Sequence, residues 1–145
     1  MDQRISFITL AVPDVAVSHA FYAQGLGWQP EYYDPQDVLM FRAGPLIVLS
    51  LWNRAHFEAE IGAASQTGPG VVPITLSHNV STPEEVDGVL ADARAAGAAE
   101  VSEGVEREWG GYTGYFADPD GFRWEVAFNP GPVGQLVLPP EGDGA

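Results

Sequence analysis

The chain has 145 residues, 20 Asp and Glu against 6 Lys and Arg for a formal charge of −14, and no cysteine. That length fits one domain, or two small modules sharing a core, and can bury roughly two thirds of the unfolded surface. Disulfides, thiolate metal sites and thiol chemistry are excluded, and nucleic acid is ruled against because affinity for it needs clustered Lys and Arg.

Acidity has two readings: it serves solubility, and its field favours cationic small molecules. At the N-terminus, Met1-Asp2-Gln3-Arg4 leads straight into a short strand-like run. No apolar stretch approaches the ~18 residues of a membrane span, so the sequence predicts a soluble, cytoplasmic protein without a membrane partner.

In chain order, Ile8-Thr9-Leu10 opens a strand that runs into a helix after Asp14, a good N-cap. That helix carries Val17, Ala20 and Phe21 on one stripe and stops around Gly25-Leu26-Gly27. Strand-like runs follow near Trp28 to Tyr33, Val38 to Arg42 and Leu46 to Trp52. Asn53 to Gly70 reads as a connector with a short helix over Ala55 to Ile61.

The pattern then repeats. Ile74-Thr75-Leu76 opens a strand, and Thr82-Pro83-Glu84-Glu85 is a capping box with Pro at the first helical position. Val86, Val89, Leu90 and Ala93 form the apolar stripe before Gly97. Strand-like runs come again near Ala99 to Val105, Tyr112 to Ala117 and Phe122 to Phe128. The last two are joined by Asp118-Pro119-Asp120-Gly121, with Pro where φ near −65° is wanted and Gly where the chain reverses. Trp52-Asn53 closes the first copy and Phe128-Asn129 the second, so the chain reads βαβββ twice.

This paired layout, with "FYAQGLGW" after the first strand and "GYFADPDGFRWEV" near the end, resembles the vicinal oxygen chelate superfamily. That group holds glyoxalase I, extradiol dioxygenases, fosfomycin-inactivating enzymes and bleomycin-resistance proteins. The resemblance covers Ile5 to Pro130 and implies an α+β fold, two βαβββ modules forming a cup-shaped half-barrel sheet with helices on the outer face. The expected organisation is one domain over 1–130 (module one 1–53, connector 54–70, module two 71–130) and a loose tail over 131–145.

Metal-dependent members of the superfamily hold a divalent ion with one side chain from the first and one from the last strand of each module, usually His or Glu. Glu125 fits the last-strand position of module two. Counting back equally from Trp52-Asn53 gives Leu49, and the residues before the two Ile-Thr-Leu copies are Phe7 and Pro73. Zinc, nickel or iron needs roughly three or four suitable donors, so one carboxylate does not suffice. No metal and no cofactor are expected. His19 lies on the first helix, His56 in the connector and His78 on the side opposite Thr75; the sequence assigns them no role.

Phe122, Trp124, Val126 and Phe128 alternate with Arg123, Glu125 and Ala127, so Glu125 points away from the aromatic face. A lone strand Glu is ordinarily just solvated. Phe7, Thr9 and Ala11, with Ile47, Leu49 and Leu51, and Thr75 with Glu125 are expected to share one face, whose lining is too apolar for a wet surface. Trp52, Trp109, Tyr112 and Tyr115 stand near strand ends or beside Gly-Gly, and Trp109-Gly110-Gly111-Tyr112 suits a mobile rim. Glu125, Trp109 and Tyr112 are thus expected to border a ligand cavity floored by Phe7 and Leu49.

The function expected is metal-free binding of a small molecule, in the bleomycin-resistance manner, sequestering an aromatic or cationic natural product such as an antibiotic. No catalytic residue is then required. The alternative is a metal-independent lyase or isomerase using Glu125 as general base. The resemblance also implies a homodimer, which would cover exposed strand edges.

Overall fold

In the computed structural model of the protein the described residues are 1, 3, 5–66, 68–70, 72 and 74–139. The chain divides into two compact units, Met1–Gly70 and Val71–Ala145. Both have the mixed α+β layout predicted from the sequence, and their strand orders match.

In the first unit, β1 (Phe7–Val12), β2 (Tyr32–Tyr33), β3 (Val38–Gly44) and β4 (Ile47–Asn53) form a sheet ordered β1-β4-β3-β2. β1 runs parallel to β4, and β4, β3 and β2 are antiparallel neighbours. A parallel pair cannot be closed by a tight turn. The chain crosses over through helix α1 (Val15–His19), which continues as a π-helical turn over Ala20–Gly25. Asp14 caps it, its carboxylate accepting from the Ala16 N–H at 2.8 Å.

The buried stripe of this crossover is Val15, Ser18, Phe21 and Tyr22, rotated from the expected Val17, Ala20 and Phe21, and Val17 is exposed. Tyr22, fully buried, packs its ring 5.9 Å from Phe41 of β3, and Trp28 meets Phe41 edge-on at 5.3 Å. His19 stacks on Tyr33 at 4.1 Å. Helix α2 (Arg54–Ile61) follows β4 directly, capped by Asn53; the expected connector therefore belongs to the first unit.

In the second unit, β5 (Thr75–Val80), β6 (Glu100–Val101), β7 (Val105–Glu106), β8 (Tyr112–Ala117) and β9 (Arg123–Phe128) give the order β5-β9-β8-β6, with β7 also on β8. The crossover is helix α3 (Pro83–Ala96), and the Thr82/Glu85 capping box is present with Pro83 at its start. Val86, Leu90 and Ala93 are buried. A Cβ on Gly114 of β8 would lie 2.4 Å from the Leu90 side chain, so any larger residue there would displace Leu90 from its place between helix and sheet. The tail, expected to be loose, carries the short helix α4 (Pro132–Gln135), and Gly134 packs against Asn129.

Candidate functional site

Each sheet has one side under its crossover helix and one side turned away from it. On β9, Trp124 and Val126 are buried on the α3 side, which turns Arg123, Glu125 and Ala127 the other way. The register sets Glu125 between Ser77 of β5 and Tyr115 of β8. Both neighbours donate to it: the Tyr115 hydroxyl to Oε1 at 2.8 Å and the Ser77 hydroxyl to Oε2 at 3.2 Å. The hydrogen bond to Glu125 raises the Tyr115 hydroxyl above its ordinary pKa, because losing the proton would set two anions face to face.

Thr75 shares this side, paired with Arg123. One step along β8, Thr113 is paired with Ala127 and its hydroxyl accepts from Arg107 Nε at 2.6 Å. Arg123 is taken up by Glu100 at 2.7 Å. The sequence reading missed Ser77 and Arg107. The side taken by Ser77 was legible, since alternation from Thr75 fixes it, but its pairing with Glu125 depends on the β5–β9 register; Arg107 was not legible, because it follows the two-residue strand β7.

Tyr112 lies on the opposite side: it pairs with Phe128, and its hydroxyl donates to Asp87 of α3 at 3.0 Å. The expectation that it borders a cavity with Glu125 is corrected by the pleat, which alternates sides at every residue. Trp109 is 57% exposed in the turn between β7 and β8, where Gly110 has φ +91°. Its ring lies against Gly111, where a Cβ would come within 1.9 Å of ring atoms. The glycine pair seats the ring as well as turning the chain.

In the first unit, parallel pairing aligns Phe7 with Val48, Ile8 with Leu49, Thr9 with Ser50, Leu10 with Leu51 and Ala11 with Trp52. Phe7, Thr9 and Ala11 therefore share a side with Val48, Ser50 and Trp52. Leu49 and Leu51, buried at 2% and 0% exposure, face α1 with Leu10 and Val12. This corrects the expectation that Leu49 and Leu51 line the face of Phe7.

The two modules end differently. Asn53 is both the last residue of β4 and the cap of α2, whereas Asn129 lies beyond the end of β9. Counted from the helix caps Asp14 and Thr82, Thr9 corresponds to Ser77, and their partners are Ser50 and Glu125. By the same count Phe7 corresponds to Thr75; Pro73 lies outside the described residues.

Trp52, on the side of Phe7, donates from Nε1 to Asp37 Oδ1 at 2.8 Å, and His56 of α2 meets the same oxygen through Nδ1 at 2.7 Å. These bonds, His56 first, hold the Asp37 carboxyl below its usual range. Phe57 meets Trp52 edge-on at 6.0 Å. This cluster fastens the start of α2 to the turn before β3.

The four counterpart positions are then Phe7, Ser50, Thr75 and Glu125. One carboxylate, two neutral hydroxyls and a phenyl ring do not fit the divalent ion of metal-dependent vicinal oxygen chelate proteins. Among the described residues no group of three or more His, Cys, Asp and Glu is gathered to hold a metal.

The family model for the Glyoxalase/Bleomycin resistance protein/Dioxygenase superfamily matches residues 4–126. This chain belongs to that superfamily. Among solved structures, a glyoxalase-related enzyme from Fulvimarina pelagi is 33% identical, with 99% of this chain and 96% of that one covered and a TM-score of 0.81. A glyoxalase/bleomycin resistance protein/dioxygenase from Nocardioides is 26% identical over 90% of this chain and 89% of that one, TM-score 0.74. Lactoylglutathione lyase from Agrobacterium tumefaciens, at 22% identity over 88% and 95% with TM-score 0.65, shares the fold alone. A search of curated proteins gave no match. Among the described residues no helix is long and apolar enough to cross a membrane.

His78 is placed away from Glu125, on the α3 side with Leu76 and Val126. It lines an open depression of about 460 Å³ with Val80, Val89, Asp92 and Leu138. Although part of its side chain reaches solvent, desolvation lowers its pKa from the ordinary 6.5. A folded pKa below the unfolded one gives stability that is complete above about pH 6.5 and is lost as pH falls from there through the folded value. Thermal melts of wild type and His78→Asn across this range should diverge, with the variant showing the shallower acid-side loss.

Proposed function

We propose that this protein binds a small molecule without a metal, in the manner of the bleomycin-resistance proteins, and sequesters an aromatic or cationic natural product. The observation that carries this reading is Glu125, held on a half-buried strand side by two neutral hydroxyls, Tyr115 and Ser77. Hydroxyl donors fix the carboxylate without neutralising it. A fixed, undischarged carboxylate suits a cationic ligand group, which an overall charge of −14 also attracts. Trp109, exposed and seated on Gly111, supplies a flat apolar surface in the same unit.

A thermal-shift screen of cationic aromatic natural products beside divalent metal ions tests the reading, because a ligand that binds only the folded form raises the melting temperature. Cationic aromatics should stabilise the protein. Glu125→Gln should weaken cationic ligands more than neutral ones, and Trp109→Ala should cost on the order of 1 to 3 kcal/mol of affinity, by analogy with base stacking on aromatic side chains. Stabilisation by a metal instead, with about one equivalent bound and lost in Glu125→Ala, would overturn it. The reading includes a homodimer, to be checked by light scattering.

The Fulvimarina pelagi relative is described as an enzyme, which favours one second reading: Glu125 as general base of a metal-independent lyase or isomerase. Turnover of a stabilising compound, abolished in Glu125→Gln, would select it.

A further inference from the structure

Beside Glu125 the same strand side carries an opposite charge. Arg107 donates from Nε to Thr113, and Tyr115, one step along β8, donates to Glu125. Thr113 and Tyr115 are two residues apart on one side of the strand, so the two anchoring rows lie roughly 7 Å apart. The Tyr115 hydroxyl senses both groups, its pKa raised by Glu125 and pulled back by Arg107. Yet among the described residues Arg107 and Glu125 form no ion pair with each other; each is tied to its own hydroxyl.

Opposite charges on neighbouring rows would ordinarily close on one another unless something holds them apart. Thr113, only 1% exposed, fixes the Nε edge of the guanidinium, and Tyr115 and Ser77 fix both carboxylate oxygens. Restraint of this kind lowers the ordering cost that a ligand must otherwise meet. The terminal nitrogens of the guanidinium keep the paired donors that suit a carboxylate.

We infer that this side of the second sheet takes a zwitterionic ligand of the amino-acid class, its ammonium on Glu125 and its carboxylate on Arg107. The ammonium and carboxylate of an α-amino acid share one carbon, and with charge-assisted hydrogen bonds of about 2.8 Å at each end they bridge anchors on adjacent rows. The inference rests on the reading of this side as a ligand site and adds the demand for both charges. An aromatic side chain on the amino acid would have Trp109 of the same unit as its apolar partner.

Calorimetry with phenylalanine, phenethylamine and N-acetylphenylalanine separates the two demands, since the three share a ring and differ in charge. Phenylalanine should bind at least about tenfold more tightly than either of the others, equivalent to about 1.4 kcal/mol. Arg107→Gln should erase its advantage over phenethylamine, with Arg107→Lys recovering part of it. Glu125→Gln should erase its advantage over N-acetylphenylalanine. Arg94→Gln, which removes an exposed cation paired with Glu103, should change neither. Phenethylamine binding as tightly as phenylalanine would overturn the zwitterion and leave the cationic-ligand reading standing. Failure of all three probes would overturn it as well, while the cationic natural-product screen decides the broader reading by itself.

Discussion

Leu49→Asp is expected to unfold the protein, whereas Phe7→Asp should leave it folded. Leu49 is 2% exposed and lies on the α1 side beside Ile8 and Phe41, while Phe7 is 55% exposed on the other side of the same sheet. Removing the leucyl side chain alone should cost about 2 to 5 kcal/mol. Seating a carboxylate there without a partner adds a desolvation penalty of several kcal/mol more. The sum is comparable with the whole stability of a domain, about 5 to 15 kcal/mol. Phe7→Asp costs little by comparison, since the carboxylate stays hydrated. Far-ultraviolet dichroism and thermal melts of the two variants decide the matter. Equal tolerance of both would mean that Leu49 does face the side of Phe7.

That contrast marks what was legible in the sequence. The element order was, because the signals are local: Asp14 and Thr82 as caps, the Thr82/Glu85 box, and the period-2 run from Phe122 to Phe128. The side taken by Glu125 was legible too, since alternation within one strand fixes it relative to Trp124 and Val126. Pairing between strands was not. A one-residue error in counting β4 against β9 moves Leu49 to the wrong side of its sheet, because the pleat reverses at every residue. The error came from Asn53, which ends a strand and caps a helix at once.

Side-chain partnerships were harder still. Nothing in the run Val105-Glu106-Arg107 signals that the Arg107 guanidinium reaches Thr113 across the β7–β8 pairing. Tyr112 and Tyr115 look alike in sequence, yet one is tied to Asp87 of α3 and the other to Glu125. Three residues of separation on a strand is an odd number, and it puts the two hydroxyls on opposite sides. His56 had no visible role until the fold brought Asp37 to it across 19 residues of chain.

Asp118→Ala is expected to lower both stability and ligand affinity, although it lies outside the ligand-binding residues. Asp118 is fully buried at the start of the turn into β9. Its Oδ1 accepts from the N–H groups of Asp120 and Phe122, each at 2.9 Å, while its own N–H donates to the Phe122 carbonyl at 2.9 Å and its carbonyl accepts from Gly121 at 3.0 Å. Alanine keeps the backbone bonds and strands the other two donors. A hydrogen bond to a charged group is worth about 1.5 to 3 kcal/mol, and the Asp120 and Phe122 donors lie in a half-buried turn where water replaces the carboxylate only in part, so a loss of about 3 kcal/mol is expected for the two bonds together. β9 begins at Arg123, and Glu125 is its third residue, so the turn sets the register in which Glu125 meets Ser77 and Tyr115. Asp118→Asn keeps one acceptor oxygen and should recover most of the loss. Thermal melts and calorimetry with a stabilising ligand should show Asp118→Ala impaired in both. An Asp118→Ala protein with unchanged melting temperature would mean that Pro119 and Gly121 hold the turn without the carboxylate. Lowered stability with unchanged affinity would mean that the β9 register is held by strand pairing alone.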